Sequence, residues 1–565
     1  MLRNLASLTD REYDLVIVGG GIFGLCAAWD ATLRGLSVAL LERWDFAHAA
    51  SANCFKMIHG GIRYLQHADL ARVRHSARER SAFLRIAPHL ARPLPIFVPT
   101  YGHGLKGREI LTLGMKIYDL LTADRNRQIP DRSRHIPATR SLSRRQAMEM
   151  FPDLPSQGLS GGALFHDGQM YSTARLALAF LLSATERGAV AANYTEVTGL
   201  REANGRVTGV KARDAITKTD FDVRGRVVLN AAGGWAPHLR TASNGRALQT
   251  APSFSRDAYF LVNRPMPGPC ALAVSGQDRD PDAIFSREAR HLFLVPWRGC
   301  TLVGVWHRVY TEDPAEARVR KEEVAGWLDE VRTAYPALDF GIEDVVLTHC
   351  GLVLFGENNQ GASDLRYGKR SMLVDHARHD GREGLLTLIG VRYTTARADA
   401  ARAVELAFEK LGHRPPRCQT ESTPIYGGDI ESFESELERA THSLQANIGS
   451  RSIAALVANH GSAWKRVVEI EPNRPDWLEP LPGSDTLAAE VVHAVRNEMA
   501  LHLSDVVFRR SDLGTIGHPG MAGLRVAAGL MGDELGWNPD QRRAEIDATS
   551  AHFPALHWGE SGAQA

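Results

Sequence analysis

Residues 14–24 of the chain are DLVIVGGGIFG, an apolar run that passes directly into glycines. Residues 14–18 predict a strand that is buried on both faces, and a helix is expected from Leu25 to Leu33. Residues 36–41 (LSVALL) predict a second strand, which ends at Glu42. The order of strand, glycine loop, helix, strand and acidic residue is typical of the first unit of a nucleotide-binding α/β fold.

The three glycines Gly19, Gly21 and Gly24 have the spacing Gly-x-Gly-x-x-Gly. Glycines at this spacing allow a tight turn and let the backbone approach a pyrophosphate, which then lies at the N-terminus of the following helix. Glu42 follows Gly24 by 18 residues, where an acidic side chain binds a ribose hydroxyl. The pattern therefore predicts a dinucleotide cofactor that contains ADP, and the neighbouring residues Ile22, Phe23 and Arg43 belong to the predicted cofactor set.

The composition excludes several classes of protein. With 565 residues, 44% of them hydrophobic and 23% charged, the chain is expected to fold into two or three domains. Its 66 basic and 65 acidic residues give a net charge of +1, so we expect no nucleic-acid partner. The six cysteines are widely spaced, which argues against ribbon-type zinc sites and a disulfide framework. We expect no metal site and a cytoplasmic location.

Apolar stretches long enough to span a membrane are absent from the sequence, because no run reaches 18 residues. The first apolar run, residues 15–18, follows charged residues and leads into glycines, so we expect no signal peptide. Peripheral binding, such as contact with the cytoplasmic face of an inner membrane, stays open.

The strand-to-glycine pattern recurs at residues 227–233 and 385–390. Such wide spacing is typical of flavoproteins in which FAD is bound by segments from the whole chain. Short strands between residues 252 and 376 predict a separate antiparallel layer, and a proline-rich linker at 414–428 precedes a region that we predict to be helical.

The predicted fold class is α/β: a Rossmann-like FAD-binding domain, an antiparallel β-sheet substrate domain and a C-terminal α-helical domain. We assign residues 1–420 to the first two domains, which are interleaved, and residues 421–565 to the third. The FAD-binding segments are predicted at about 12–90, 155–250 and 376–412, and the substrate segments at about 91–154 and 251–375.

The stretch SANCFKMIHGGIRYL at residues 51–65 suits a loop that lies along an extended cofactor. Together with GGGIFG, the LLER turn and the later IAPHL, it resembles the FAD-dependent glycerol-3-phosphate dehydrogenases, within the D-amino-acid-oxidase-like flavoproteins. The resemblance extends to residues 227–235, 294–304 and 390–397 and covers most of the chain. It implies FAD as the cofactor.

The resemblance also implies roles for individual residues. Gly19, Gly21 and Gly24 would hold the pyrophosphate, and Glu42 the ribose. The residues expected beside the flavin are Ser51, Lys56, His59, Gly60, Gly61, Ala232, Gly233, Gly390, Tyr393 and Thr394. Arg63 and Arg370 match arginines that hold the substrate phosphate. Arg392 stands where the family usually has a lysine next to the flavin, and we expect it to contact the substrate and to act in catalysis.

Two motifs depart from the family. Its Gly-Val-Arg-Pro motif is Gly-Leu-Val-Leu at residues 351–354, so Val353 replaces an expected arginine. Its Gly-Thr-Thr-Asp motif is Gly-Val-Trp-His at residues 304–307, which places His307 in the expected pocket. His307 and Arg308 are candidates to restore the lost positive charge, although Arg308 also fits a solvated strand position.

The expected reaction is oxidation of sn-glycerol 3-phosphate to dihydroxyacetone phosphate, with hydride transfer to flavin N5 and electrons passing to quinone or oxygen. His307 and His59 are the candidate bases, since an unperturbed histidine titrates at a pKa of about 6.5. Two alternatives remain: a related flavoenzyme for an amino acid or another phosphorylated alcohol, and a flavin-binding scaffold without turnover. A homodimer also stays open.

Overall fold

The computed structural model describes residues 1, 3–102, 108–241, 253–279, 289–356, 368 and 370–554. Their strands are β1 (Glu12–Val18), β2 (Val38–Leu41), β3 (Met57–Ile58), β4 (Ala91–Tyr101), β5 (Arg140–Ser143), β6 (Leu159–Met170), β7 (Val190–Ala192), β8 (Thr195–Ala203), β9 (Arg206–Asp214), β10 (Asp220–Asn230), β11 (Phe254–Val262), β12 (Ala271–Arg279), β13 (Ala289–Trp297), β14 (Cys300–Tyr310), β15 (Val345–Leu354), β16 (Met372–Asp375) and β17 (Leu385–Ile389).

The α-helices of the same residues are α1 (Ala6–Thr9), α2 (Ile22–Leu33), α3 (Leu70–Ile86), α4 (Arg108–Leu121), α5 (Arg144–Met150), α6 (Thr173–Glu186), α7 (Ala236–Thr241), α8 (Lys321–Ala334), α9 (His376–Asp380), α10 (Ala396–Leu411), α11 (Phe433–Leu444), α12 (Ser450–His460), α13 (Trp464–Val468), α14 (Ala488–Glu498), α15 (Leu503–Asp505), α16 (Gly520–Leu535) and α17 (Pro539–Ser550).

The first sheet places the predicted nucleotide-binding unit at its centre. Its order is β16-β17-β10-β1-β2-β7, with β8 and β9 added beside β10. Strands β17, β10, β1, β2 and β7 are parallel, and Val18 at the end of β1 is paired with both Leu41 and Asn230. The carboxyl ends of these strands therefore lie at one edge, where open α/β sheets bind ligands. Helix α2 contacts α6 and α10 over this sheet.

The second sheet has the order β15-β11-β14-β13-β12-β4-β6-β3, with β5 paired to β6. Its neighbouring strands are antiparallel except for the β4–β12 pair. One hydrophobic cluster joins this sheet to the C-terminal helices: it includes Tyr259 and Leu302 of the strands and Leu456 and Val491 of α12 and α14. The predicted α/β class with a C-terminal helical region is confirmed.

Two strands do not pair with the sheet of the domain to which their chain segment was assigned. Strand β6, within the predicted FAD segment 155–250, pairs along β4 in the second sheet. Strand β16, within the predicted substrate segment 251–375, pairs with β17 in the first sheet. Only α9 and a short turn separate β16 from β17, so the two form the antiparallel neighbours that a short connection favours.

Local conformations explain where one predicted helix begins and where another helix ends. Helix α2 begins at Ile22 rather than Leu25, because Gly21 is its extended N-cap residue, with φ −78° and ψ 174°. Helix α14 ends at Glu498, before Met499, which adopts a left-handed conformation with φ 56°. In the described part of the chain, no helix combines the length and the apolar character that a membrane span requires.

Candidate functional site

A cavity of about 990 Å³ opens at the carboxyl ends of β1, β2 and β10. Its lining comes from both sheets: Val18 and Leu41 belong to the first sheet, and Phe165, Tyr259 and Val353 to the second. A cavity of this size is large enough for an extended cofactor together with a small substrate.

The glycine loop is packed too closely for side chains. Gly19 has φ +105°, and a Cβ atom there would lie 2.7 Å from the carbonyl oxygen of Ala231. A Cβ atom on Gly24 would lie 2.0 Å from the carbonyl oxygen of Gly19. At the start of α2, the N–H of Ile22 donates to Ser51 Oγ at 2.8 Å. The loop, the helix N-terminus and residue 51 therefore form one wall of the cavity.

Glu42 lies beside this loop and accepts two backbone hydrogen bonds, from Gly20 N–H at 2.6 Å and from Trp44 N–H at 3.0 Å. Burial raises the pKa of Glu42, and these two hydrogen bonds oppose the increase. The ring of Trp44 meets Trp235 edge to face with centroids 4.9 Å apart, and the Arg43 guanidinium lies 4.4 Å above Trp44. This part of the cavity thus combines a carboxylate with two aromatic rings, which suits a nucleoside.

A cluster of arginines, here called the cationic corner, consists of Arg63, Arg72 and Arg392, which all line the cavity. Arg392 donates to the hydroxyl groups of Tyr64 at 2.7 Å and Ser76 at 3.0 Å. The guanidinium groups of Arg72 and Arg392 lie 4.7 and 5.0 Å from the centre of the Tyr64 ring. Arg392 has only these neutral partners among the described residues, so its charge is available to an anionic ligand.

His59 lines the cavity beside the 390–394 loop, and its backbone N–H donates to Thr394 Oγ1 at 3.0 Å. Its Nδ1 lies 3.5 Å from Asp167 Oδ2. Asp167 also accepts from Gly60 N–H at 2.6 Å and from Arg80 at 3.0 Å. Burial by itself would raise the pKa of Asp167, but His59, Arg80 and the Gly60 N–H outweigh it and lower that pKa. Asp167 therefore stays ionised and orients His59.

A second histidine–aspartate pair lines the cavity from the other sheet. His307 on β14 and Asp257 on β11 are paired in register, with His307 Nδ1 2.7 Å from Asp257 Oδ1. Ser255 Oγ donates to the same carboxylate oxygen at 2.7 Å. Since Nδ1 donates its proton to the carboxylate, Nε2 of His307 carries the ring lone pair. Val353 on β15 lies opposite Ser255 and also lines the cavity.

Comparison with known proteins identifies the family. The family described as "FAD dependent oxidoreductase" matches residues 14–397, well over half of the chain. The chain belongs to this family. Residues 418–542 match a second description, "C-terminal domain of alpha-glycerophosphate oxidase".

Several proteins that are similar to this FAD-dependent oxidoreductase are named as glycerol-3-phosphate dehydrogenases. A glycerol-3-phosphate dehydrogenase from Synechocystis sp. is 29% identical over 557 residues, covering 96% of this chain and 97% of that protein. The aerobic glycerol-3-phosphate dehydrogenase of Staphylococcus haemolyticus is 28% identical, covering 89% and 87%. A crystal structure of the Bacillus halodurans glycerol-3-phosphate dehydrogenase with FAD superposes with a TM-score of 0.75 at 22% identity, covering 97% and 95%. The last comparison supports the fold.

The cavity of this FAD-dependent oxidoreductase fits the cofactor that the family name requires. A Cβ atom on Gly21 would lie 3.1 Å from Ser51 Oγ, and one on Gly390 would lie 1.7 Å from Cζ of Phe23. Bare backbone thus faces the cavity where a pyrophosphate and a flavin need close approach. Glu42 keeps a second lone pair on each carboxylate oxygen for a ribose hydroxyl.

Most predicted site residues line this cavity. They are Gly19, Gly21, Ile22, Phe23, Glu42, Arg43, Ser51, His59, Gly61, Arg63, Ala232, Gly233, His307, Gly390, Arg392, Tyr393 and Thr394. The remaining four lie outside the lining: Gly24, Lys56, Gly60 and Arg370.

Three of these residues pack next to residues that line the cavity. Gly24 packs against the glycine loop, and a Cβ atom on Gly60 would lie 2.1 Å from an Arg80 nitrogen. Lys56 is buried, donates to the Ala52 carbonyl at 3.1 Å, and has its pKa lowered to about 8 by burial. The Arg370 side chain is exposed. The phosphate-binding role of Arg370 stays a prediction that the cavity geometry does not support.

The cavity residues that sequence reasoning missed include Trp44, Arg72, Asp167 and Asp257. Asp167 and Asp257 follow no motif in the sequence, and their roles arise from pairing with histidines 108 and 50 residues away in the chain. Arg72 lies in helix α3, whose many charged residues are typical of a solvated helix face. Trp44 adjoins Glu42 and Arg43, so its position next to the predicted ribose site was the signal that could have identified it.

Away from the cavity, His460, His493 and Glu498 are buried, with potential ligand atoms within 4.8 Å of one another. Arg175 donates to Glu498 Oε2 at 2.6 Å and lies 3.1 Å from His460 Nδ1. Because the guanidinium makes Nδ1 of His460 an acceptor, Nε2 carries the proton and lies 3.4 Å from Glu490. We interpret this cluster as an ion-pair core between α6 and the C-terminal helices.

Proposed function

We propose that the protein oxidises sn-glycerol 3-phosphate to dihydroxyacetone phosphate, with FAD as its resident cofactor. The names of the relatives motivate the substrate, and the chain covers nearly the full length of the Synechocystis protein. The observation that carries the proposal is Arg392, a cavity-lining cation whose partners among the described residues are two hydroxyl groups.

Arg392 and Arg63 bind the substrate phosphate in this proposal. A guanidinium fork matches two phosphate oxygens, so it fixes both the position and the orientation of the substrate. Tyr64 and Ser76 hold the Arg392 side chain from one side, which reduces the conformational freedom that binding has to remove. If FAD binds as the family resemblance implies, the Arg392 guanidinium would stabilise negative charge on the reduced flavin, which is its proposed catalytic role.

His59 and His307 are the proposed acceptors for the proton of the C2 hydroxyl, each at Nε2. Asp167 and Asp257 hold the respective Nδ1 atoms, at 3.5 and 2.7 Å. An aspartate in this position fixes the tautomer and stabilises the imidazolium that forms. When bound, FAD supplies the acceptor for the two electrons that leave the substrate.

Quinone at a membrane surface is the proposed final electron acceptor, with oxygen as the alternative. Helix α4 exposes four large apolar side chains at helical spacing: Ile110, Leu113, Ile117 and Leu120. We name them the apolar stripe. Exposed Lys116 and Arg140 lie on α4 and on neighbouring β5, where they suit anionic lipid headgroups.

The opposite side of α4 leads to the cavity. Tyr118 is buried, and its hydroxyl donates to the Gly60 carbonyl at 3.1 Å, next to His59. A membrane that contacts the apolar stripe would therefore lie one helix away from the site. These features support peripheral contact with a membrane, and the cytoplasmic face of an inner membrane stays the proposed location. The homodimer stays a prediction.

Anaerobic addition of glycerol 3-phosphate to the purified holoenzyme tests the main proposal, and we expect the visible flavin spectrum to bleach. Arg392→Ala should lower kcat/KM by roughly ten- to a hundred-fold, because a charge-assisted hydrogen bond is worth about 1.5–3 kcal/mol. Arg392→Lys should recover part of the loss. Arg63→Ala should behave like Arg392→Ala, and Arg370→Ala tests the remaining predicted ligand.

Arg308→Ala is the matched control, since the Arg308 side chain is 72% exposed and pairs with Glu323 outside the cavity lining. It should keep the parental kinetics. If Arg392→Ala and Arg63→Ala both retain parental kcat/KM with an intact flavin spectrum, neither arginine binds the phosphate and the substrate assignment fails.

Val353 favours one alternative, because an apolar side chain lines the cavity where the family places an arginine. Reduction of the flavin by an amino acid or by another phosphorylated alcohol, but not by glycerol 3-phosphate, would establish that alternative. Absence of bleaching with every compound of such a panel would instead favour a flavin-binding scaffold.

A further inference from the structure

The loop of residues 42–53, here called the cofactor loop, has one side in the cavity and one side in the protein interior. Glu42, Trp44 and Ser51 line the cavity. Asp45 lies on the other side and is fully buried. The N–H of Ala47 donates to the Gly20 carbonyl at 2.9 Å, so this loop and the glycine loop are directly joined.

Asp45 is held by two consecutive arginines of the C-terminal region. Arg510 makes a two-pronged contact, with Nη1 2.7 Å from Oδ2 and Nη2 2.6 Å from Oδ1. Arg509 Nε lies 2.6 Å from Oδ2, and Asn193 donates to Oδ1 at 3.1 Å. Burial would raise the pKa of Asp45, but the two guanidinium groups outweigh it and hold that pKa far below its usual range.

The same C-terminal region also contacts the second sheet. Asp512 pairs with Arg298 at 2.9 Å, and the hydroxyl of Tyr171 donates to Asp512. Arg298 lies in the turn between β13 and β14, and it donates to Thr515 at 2.6 Å. Residues 505–515, which we name the clamp segment, therefore bind the cofactor loop on one side and the second sheet on the other.

We infer that the clamp segment positions the cofactor loop, so that Asp45, Arg509 and Arg510 are positioning residues for FAD. A buried carboxylate with two buried guanidinium partners has few alternative arrangements, because each unpaired charge would be strongly disfavoured. The loop conformation that brings Glu42, Trp44 and Ser51 to the cavity is consequently fixed from behind by the C-terminal domain. This inference depends on FAD binding and is independent of the substrate.

FAD release from the holoenzyme tests the inference without any activity measurement. After dilution, the rise of free-flavin fluorescence gives the release rate. We expect Asp45→Asn to release FAD at least tenfold faster than the parent, and Arg510→Lys, which keeps the charge but loses the two-pronged contact, to release it several-fold faster. If Asp45→Asn fails to fold, Arg510→Lys decides the outcome.

Glu498→Gln is the matched control, because it disrupts another buried ion pair, Arg175–Glu498, and keeps the Glu498 backbone carbonyl that accepts from Arg510 Nε at 3.2 Å. It should lower the thermal midpoint while FAD release stays at the parental rate. Parental release from folded Asp45→Asn and Arg510→Lys would overturn the inference. Equal acceleration by Glu498→Gln would also overturn it, since the effect would then be general destabilisation.

Discussion

At Gly390 the space for a side chain is already occupied by the ring of Phe23, 1.7 Å from the position of a Cβ atom. We expect Gly390→Ala to displace this ring into the cavity and to lower the FAD content, measured as the ratio of flavin to protein absorbance. Gly326→Ala is the control: a Cβ atom at this helical glycine of α8 has no neighbour within 4 Å, so flavin content should be unchanged. Full flavin content in Gly390→Ala would show that the flavin does not approach this loop.

Among single residues, the sequence identified those whose function requires one type of amino acid at a fixed spacing from the others. Gly19, Gly24 and Glu42 are of this kind, since the close approach at each of them excludes most other residues. Asp257 was not predictable, because its role depends on the strand pairing that brings it to His307. The same reason applies to Asp167 and His59, which meet only after β6 has joined the second sheet.

Among the elements, helix α4 has the most apolar exposed face of those described above, and Leu120 is 78% exposed. We expect the double substitution Leu113→Glu, Ile117→Glu to lower binding to vesicles with anionic lipid by more than tenfold, because each apolar side chain contributes roughly 1.5–3 kcal/mol when buried. Vesicle co-sedimentation measures this. Val526→Glu on α16 is the control, and loss of binding there instead would move the membrane contact to the C-terminal helices.

The helices and strands that can be predicted are those whose ends are set by residues next to them in the sequence. Strand β17 lies in the predicted strand-to-glycine stretch 385–390, and both β17 and helix α10 end directly before a glycine, at Gly390 and Gly412. The sheets that strands β6 and β16 join do not follow from the predicted segments that contain them, since the pairing partner of a strand is a non-local choice that its own residues do not specify. The division into domains at residue 420 stays a prediction.

For the whole molecule, His89 makes stability depend on pH. Burial, aided by Arg175, His460 and Arg134, lowers the pKa of His89 from 6.5 to about 3. Below pH 6.5 the His89 side chain binds a proton in the unfolded chain but stays neutral in the folded protein. The free energy of unfolding therefore decreases as the pH falls, by about 1.4 kcal/mol per pH unit. Between pH 7 and pH 5 we expect His89→Gln to show a smaller decrease in thermal midpoint than the parent.

Exposed His413 supplies the comparison, because His413→Gln should show the parental pH dependence. Equal slopes for the parent and His89→Gln would mean that other groups dominate the acid sensitivity.

The contact between Asp45 and Arg510 joins residues 465 positions apart in the chain. At a synthesis rate of about 5–20 residues per second, the arginine leaves the ribosome roughly 25–90 s after the aspartate. During that interval the Asp45 carboxylate has no arginine partner from the clamp segment. For part of it, strand β1 also lacks β10, its neighbour in the sheet, and β17 follows later still. Cofactor loading is therefore expected to be completed only after Arg510 has emerged, and a polypeptide truncated before Arg510 should retain flavin poorly.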